Sequence, residues 1–514
     1  MMKMKSLICN IKVCAVAVVA LLVATSCLEK YPGSAIETGK SMKTYDDAVQ
    51  FNTGIYAMLK SSSLYTGYLT TLPDVQTDLV YAVDGYSNQL GSFWLWQIRS
   101  TTSESEAVYA NLYSVISNCN FFLENIGAVK ANTTDDKKLS DLDYFTGEVY
   151  AIRALAYSEL IKLYCKAYDP ATAQSELGVV LRKHYSKPEE AKRASLYDSY
   201  EFVLEDLAKA EELLDSEYDG YGAIYTTKAM AEALHARVAL YMQDWDTAID
   251  YSTKLIDSER FALSSVNNMI SSSTSHFQHL WANDEGWEII WQINLTPESY
   301  GGMLGSPFLG RNTDGVNYYP DYVPAQWVLN LYEQSDLRYN AYFANAQTAH
   351  AHGLVWPLLI KYAGNTSFIS SYYLYEVSMP KPFRLAEQYL IRAEAYCRQA
   401  TPNYSAASKD LTKLRESRFR SGSGAMSINA DNWVTNIANE RVRELYMEGH
   451  RLQDIKRWGK LYNEGKGFER TPQTSSLAEG SSLKISADNT MFVWPIPRHE
   501  VEAPGSRVQQ NEGY

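Results

Sequence analysis

The chain has 514 residues, with 60 Asp and Glu against 47 Lys and Arg and a net charge of −13. Such an acidic balance excludes a nucleic-acid backbone or an anionic lipid surface as partner. The length allows a large buried core and up to about three domains.

The first 26 residues read as a secretory signal. Lys3, Lys5 and Lys12 precede an apolar run from Val13 to Val23, and the small residues Ala24, Thr25 and Ser26 follow. The run is too short for a permanent membrane helix, and no second stretch is long and apolar enough to be one. Cys27 stands directly after the small residues, where a lipoprotein signal needs a thiol to carry an acyl anchor. The alternative is an ordinary signal peptide, since Ala24 occupies a position that many lipoboxes give to Leu. Residues 27–44, with Pro32 and Gly33 and no periodicity, read as a tether. Cys9 and Cys14 leave with the signal. Cys119, Cys165 and Cys397 are odd in number and far apart, which argues against a disulfide framework.

Residues 45–261 read mainly as helix. Ile152, Leu155, Ala156, Leu160, Leu163 and Tyr164 share one helical face, and Tyr197–Leu214 forms another amphipathic segment. Ala233, Ala236, Tyr241, Trp245, Ala248 and Tyr251 follow the small–small–large grammar of a tetratricopeptide-type hairpin, in which small residues let two helices approach. A loop-rich patch interrupts this part at Leu72–Gln97. It carries Asp74, Asp78, Tyr81, Asp84, Tyr86, Asn88, Trp94 and Trp96. Residues 262–382 are a long irregular insertion rich in Gly and Pro, with β-like runs at Glu288–Ile293 and Leu358–Tyr362. Long structured loops of this kind are usually functional. A further helical pair begins at Phe383 and continues from about Ser405 to Arg418. The fold class is therefore mainly α, a scaffold of irregular tetratricopeptide-like hairpins with a loop-rich, sparsely β portion.

The 39 tyrosines and 11 tryptophans outnumber the 15 phenylalanines, which favours half-exposed aromatic surfaces that meet polar ligands. A surface for a ligand with apolar faces and a polar edge needs aromatic faces and polar groups side by side. In the first patch, Trp94 and Trp96 would point to one side of an extended segment, beside Asp74, Asp78 and Asn88. In the second, Trp281 accompanies Arg311, Asn312, Asp314, Asn317, Tyr318, Tyr319 and Tyr322. Trp291 lies inside an apolar run and reads as core. The pairs His276/His279 and His350/His352 lack a third metal ligand in pattern. No phosphate loop or nucleophile elbow is present, and the motifs give catalysis no support.

Three C-terminal blocks complete the reading. They are Arg384-Leu385-Ala386-Glu387-Gln388-Tyr389-Leu390-Ile391-Arg392-Ala393-Glu394-Ala395, Glu440-Arg441-Val442-Arg443-Glu444-Leu445-Tyr446-Met447-Glu448-Gly449-His450-Arg451, and Trp494-Pro495-Ile496-Pro497. In order, and behind a lipoprotein signal, they resemble the SusD/RagB family of Bacteroidetes outer-membrane nutrient-binding lipoproteins. Residues 383–514 would be the C-terminal helical part of that fold. The charged residues of the second block, with Asp454 and Arg457, read as ion pairs that fix helix packing. The resemblance implies four tetratricopeptide-like helix pairs and a lipid-anchored protein on the cell surface. It implies a lid over a SusC/RagA-like TonB-dependent barrel, delivering oligosaccharides or, in some relatives, peptides. A scaffold that binds only proteins is the competing reading.

Overall fold

The computed structural model describes residues 42–187, 190–311, 317–348, 355–471 and 483–514. The signal segment 1–26, Cys27 and the tether up to residue 41 lie outside the described residues, as do Asn312, Asp314, His350 and His352.

Helix α1 (Tyr45–Leu59) starts at a capping box. The Asp47 N–H donates to the Thr44 hydroxyl and the Asp47 carboxylate takes the Thr44 N–H, satisfying two otherwise orphaned donors. Ala48, Asn52, Ile55, Tyr56 and Leu59 recur at helical spacing and form its buried stripe. Helix α2 (Tyr68–Val75) is buried almost throughout. Helices α3 (Ser103–Ala131) and α4 (Asp136–Tyr164) form a long hairpin. Beyond Thr146, α4 is buried on every side, so it carries apolar and paired polar residues all round. One cation joins three helices: Arg153 of α4 donates to both Asp206 oxygens of α5 (Leu196–Leu213), each at 2.7 Å, and to Asn120 of α3 at 2.6 Å.

The row continues through α6 (Lys228–Met242) and α7 (Trp245–Asp257). Ala229, Ala233 and Ala236 keep α6 thin enough for close packing, and Gln243 turns the chain in the left-handed region at φ 63°. Helix α7 packs in turn on the helix Leu385–Arg398. Helices α8 (His276–Ala282) and α9 (Thr366–Tyr372) belong to the irregular middle. Helices α10 (Leu385–Arg398), α11 (Tyr404–Glu416), α12 (Trp433–Glu444) and α13 (Arg451–Trp458) close the scaffold. Arg237 of α6 holds Glu387 of α10 through two bonds of 2.8 and 2.6 Å. The expected helix segments are thus in place, with ends within about two residues.

The charged C-terminal block is interior. Glu444 receives Arg384 at 2.9 Å, Arg338 at 3.0 Å and Arg418 twice at 2.9 Å, and all four side chains are buried. Burial by itself would raise the Glu444 pKa, but Arg418 and Arg384 outweigh it and hold the carboxyl at about 2. Glu288 of the middle segment takes Arg384 and Arg418 as well, at 2.6 and 2.8 Å. These pairs fasten the irregular middle to the C-terminal helices.

Strand pairing does the rest. Val80–Ala82 pairs antiparallel with Tyr322–Pro324, and Ile289–Trp291 with Phe383–Arg384. Phe343–Gln347 pairs with Val355–Leu359. The first of these ladders brings the N-terminal loop patch against the middle of the chain, some 240 residues away.

Candidate functional site

The loop after Ala82 is pinned onto the segment before Tyr322. The Asp321 carboxylate accepts the Ser87 N–H at 2.7 Å and the Ser87 hydroxyl at 2.6 Å, and Tyr322 Oη donates to the Gln89 carbonyl at 2.5 Å. Asp84, Asn88 and Gln89 therefore stand exposed on a fixed turn, with Tyr86 half-buried beside them. Tyr86 Oη donates to Asn88 Oδ1 at 3.0 Å, and its ring meets Trp94 and Tyr322 at 5.8 and 6.1 Å.

A second strip continues the same surface. Tyr319 N–H donates to the carbonyls of Leu309 and Gly310, and the Asp321 N–H to Pro307. Gly310 has φ 52°, and a Cβ there would lie 2.2 Å from the Tyr319 carbonyl, so the close approach requires glycine. The neighbouring Arg311 N–H donates to Glu376 at 2.6 Å, and the Arg311 guanidinium lies 4.0 Å from the Tyr375 ring centroid. Gly305 N–H bonds the Glu376 carbonyl. Hydrogen bonds thus link the Ser87–Gln89 turn, the Tyr319–Tyr322 strip, Gly310–Arg311 and Glu376 into one rim. Tyr319 is 42% exposed, Tyr372 58% and Tyr373 79%.

Six expected contact residues are elsewhere. Asp74 is fully buried and accepts the N–H groups of Gly449 and Arg451 at 3.0 and 2.8 Å, so its charge faces the start of α13. Burial pushes its pKa up to about 7 against those bonds. Asp78 is buried in a pair with Arg451. Trp94 is 0% exposed and Trp96 nearly so, because Gly91–Trp94 forms a helical turn and Trp96 adopts φ 57°. The expected extended segment does not form, and the two rings part. Trp94 packs on Tyr86 and Tyr322 under the Arg470 guanidinium at 4.7 Å. Trp96 donates to the Gln76 carbonyl at 2.6 Å among Phe468 and Phe492. Trp281 is buried under the Lys361 ammonium, 4.0 Å from its ring. Tyr322 is buried in the first ladder. These six side chains are buried and cannot offer a face to solvent. Trp291 is core, as expected.

The sequence reading also passed over Tyr372, Tyr373 and Tyr375. Their signal was available as a dense run of tyrosines after two serines at Ser370-Ser371. With Asn88, Asn317, Tyr318, Tyr319 and Arg311, they combine aromatic faces with amide and guanidinium groups. That combination suits a ligand with apolar faces and a polar edge. Among the described residues no helix is long and apolar enough to cross a membrane.

Two family models match the chain. Residues 356–514 match the model described as SusD family, and residues 37–240 match one described as starch-binding associating with outer membrane. A SusD-like protein of Formosa agariphila is 24% identical, over 98% of this chain and 99% of that protein. A SusD superfamily structure from Bacteroides thetaiotaomicron superposes with a TM-score of 0.75, at 22% identity, covering 91% of this chain and 99% of the other. A structure described as a laminarin-binding SusD-like protein gives 0.66 at 18% identity, covering 92% and 100%. With its helical scaffold and the three C-terminal blocks in their expected order, the chain belongs to the SusD/RagB family.

Proposed function

We propose that this protein is a surface-exposed outer-membrane lipoprotein, anchored through Cys27, that captures oligosaccharides on the rim and hands them to a SusC-like TonB-dependent barrel. It acts as the barrel's lid and performs no covalent chemistry on the ligand. The observation that carries the ligand class is the rim itself. Tyr319, Tyr372 and Tyr373 expose large aromatic surface on segments tied down by backbone hydrogen bonds. Such preorganised aromatics lose little entropy when a sugar ring stacks on them. The family description and the laminarin-binding relative support a glycan over a peptide.

Calorimetric titration with neutral oligosaccharides such as laminarihexaose, maltohexaose and mannohexaose tests the ligand. At least one should bind, and the Tyr319→Ala/Tyr373→Ala double variant should weaken it by roughly tenfold or more. Binding that survives the double variant unchanged would sink the rim assignment. Capture of the tagged protein from native membranes tests the partner, and recovery without a TonB-dependent barrel would remove the lid role.

A further inference from the structure

A cleft of about 900 Å³ opens on a different part of the scaffold, between α1, the first half of α4 and residues 212–228. Its size falls in the range of small-molecule sites, roughly 300–1,000 Å³. Three tyrosines shape it. Tyr218 stands edge-to-face with Tyr144 at 5.0 Å, yet is 65% exposed. Tyr225 meets Tyr56 at 5.1 Å in the same manner and is 49% exposed. Each ring is held by one aromatic neighbour and keeps much of its surface in solvent.

The floor holds a polar side chain with one unpaired atom. Asn52 is 3% exposed; its Nδ2 donates to Glu148 Oε2 at 2.6 Å, while its Oδ1 has no hydrogen-bond partner. A buried acceptor without a donor is unfavourable, and a ligand hydroxyl would supply the missing bond. Glu148 is fixed in place by a second donor, Tyr56 Oη at 2.9 Å.

Charge narrows the ligand further. The cleft is lined by five carboxylates and one ammonium, that of Lys228. A polyanion would be repelled. Four of the five carboxylates, Glu148 among them, are already engaged within the protein, and only Glu212 has no such bond among the described residues. Asp141 accepts Tyr45 Oη at 3.0 Å, Asp143 pairs with Lys130 at 2.6 Å, and Asp215 accepts the Glu217 N–H at 2.9 Å. What is left on offer is aromatic surface, accepting oxygens and one orphan acceptor, the complement of a neutral polyol.

We infer that this cleft is a second carbohydrate subsite, distinct from the rim, that takes neutral oligosaccharides and rejects uronic or sulfated ones. The inference rests on the reading of the protein as a glycan binder. Two sites on one rigid scaffold would let a long chain be held at two points, raising its effective affinity without new contacts at either.

The test is a titration of the purified full chain with laminarihexaose, maltohexaose and mannohexaose, alongside trigalacturonate and trilysine. The wild type should bind two molecules of a neutral hexamer. Tyr218→Ala/Tyr225→Ala should remove one and leave the other, and Tyr319→Ala/Tyr373→Ala should do the converse. All four tyrosines are exposed, so unchanged melting curves will confirm folding. Asn52→Asp, which turns the orphan amide oxygen into a charged acceptor beside Glu148, should weaken the cleft site at least threefold. A single site that is indifferent to Tyr218 and Tyr225 but lost with Tyr319 and Tyr373 overturns the cleft and keeps the rim. The reverse pattern keeps the cleft and overturns the rim. Binding of trilysine or trigalacturonate in the cleft in preference to every neutral sugar also overturns the inference.

Discussion

Asp78 and Arg451, separated by 373 positions in the chain, face each other through two hydrogen bonds of 3.0 and 2.9 Å in a buried site. Tyr462 Oη adds a third contact to the same guanidinium at 2.7 Å. One residue comes from the N-terminal loop patch and the other from the second C-terminal block, so the pair closes the fold across nearly its whole length.

Asp78→Asn keeps the shape and removes the charge that Arg451 needs. Breaking a buried pair from one side costs about 3–5 kcal/mol, because the remaining ion is uncompensated. Urea unfolding should show an unfolding free energy lowered by that amount, while the folded fraction binds glycan with wild-type affinity. Lost affinity at unchanged stability would return Asp78 to the ligand.

Acid should unfold the protein over a defined window. Arg457 and Arg418 overcome the penalty of burial and hold Glu394 and Glu444 at about 2, below the usual carboxylate value of 4.5. The unfolded chain binds more protons than the native state between those limits, so stability is present above pH 4.5 and is lost as pH falls toward 2. Urea midpoints taken from pH 6 to pH 3 should fall steeply, and Glu444→Gln should flatten the fall. Equal slopes in the two proteins would contradict the role of Glu444.

Lys456 predicts a slope of the same sign in a higher pH window. Burial lowers its pKa to about 7, and its ammonium donates to the carbonyls of Lys162 and Cys165 at 2.5 and 2.9 Å. Between pH 7 and the ordinary lysine value of 10.5 the unfolded chain holds the extra proton. The contribution of this group to stability therefore rises with pH across that window and is level below it. Lys456→Met should reduce the rise in urea midpoint measured between pH 7 and pH 9. An unaltered slope would mean that Lys456 titrates as a solvated amine.

Trp94 and Tyr373 should separate stability from binding. Trp94→Ala opens a cavity under the rim and should cost about 3–5 kcal/mol in unfolding free energy. Tyr373→Ala removes only exposed surface and should leave the melting curve within error while weakening the rim ligand roughly tenfold. The opposite assignment would be visible in the same two measurements.

The anchor is tested apart from the site. Cys27→Ala should leave glycan affinity and melting temperature unchanged and abolish uptake by whole cells. A purified variant that no longer bound glycan would be incompatible with a simple tether.

Periodicity made the scaffold readable. Ala233, Ala236 and Tyr241 announce a tight hairpin because helix packing depends on side-chain size at a repeat of 3.6, and the observed α6 and α7 follow it. The buried ion pairs were legible too, since Glu440, Arg443 and Glu444 fall at helical neighbours. The surface was not. Trp94 and Trp96 suggest an exposed pair only if the segment is extended, and the left-handed turn at Trp96 is set by contacts with Phe468 and Phe492 from the far end of the chain.

By itself, then, the sequence determined the helical scaffold and the family. Both depend on local pattern or on short blocks of fixed order. Only the tertiary structure decided which aromatics reach solvent. Pairing Val80–Ala82 with Tyr322–Pro324 buries Trp94 and Tyr322 and leaves Asn88 and Tyr319 outside. Burial is a property of contacts between distant segments, and a run of Trp, Tyr and Asp reads the same whether it ends in the core or at the surface.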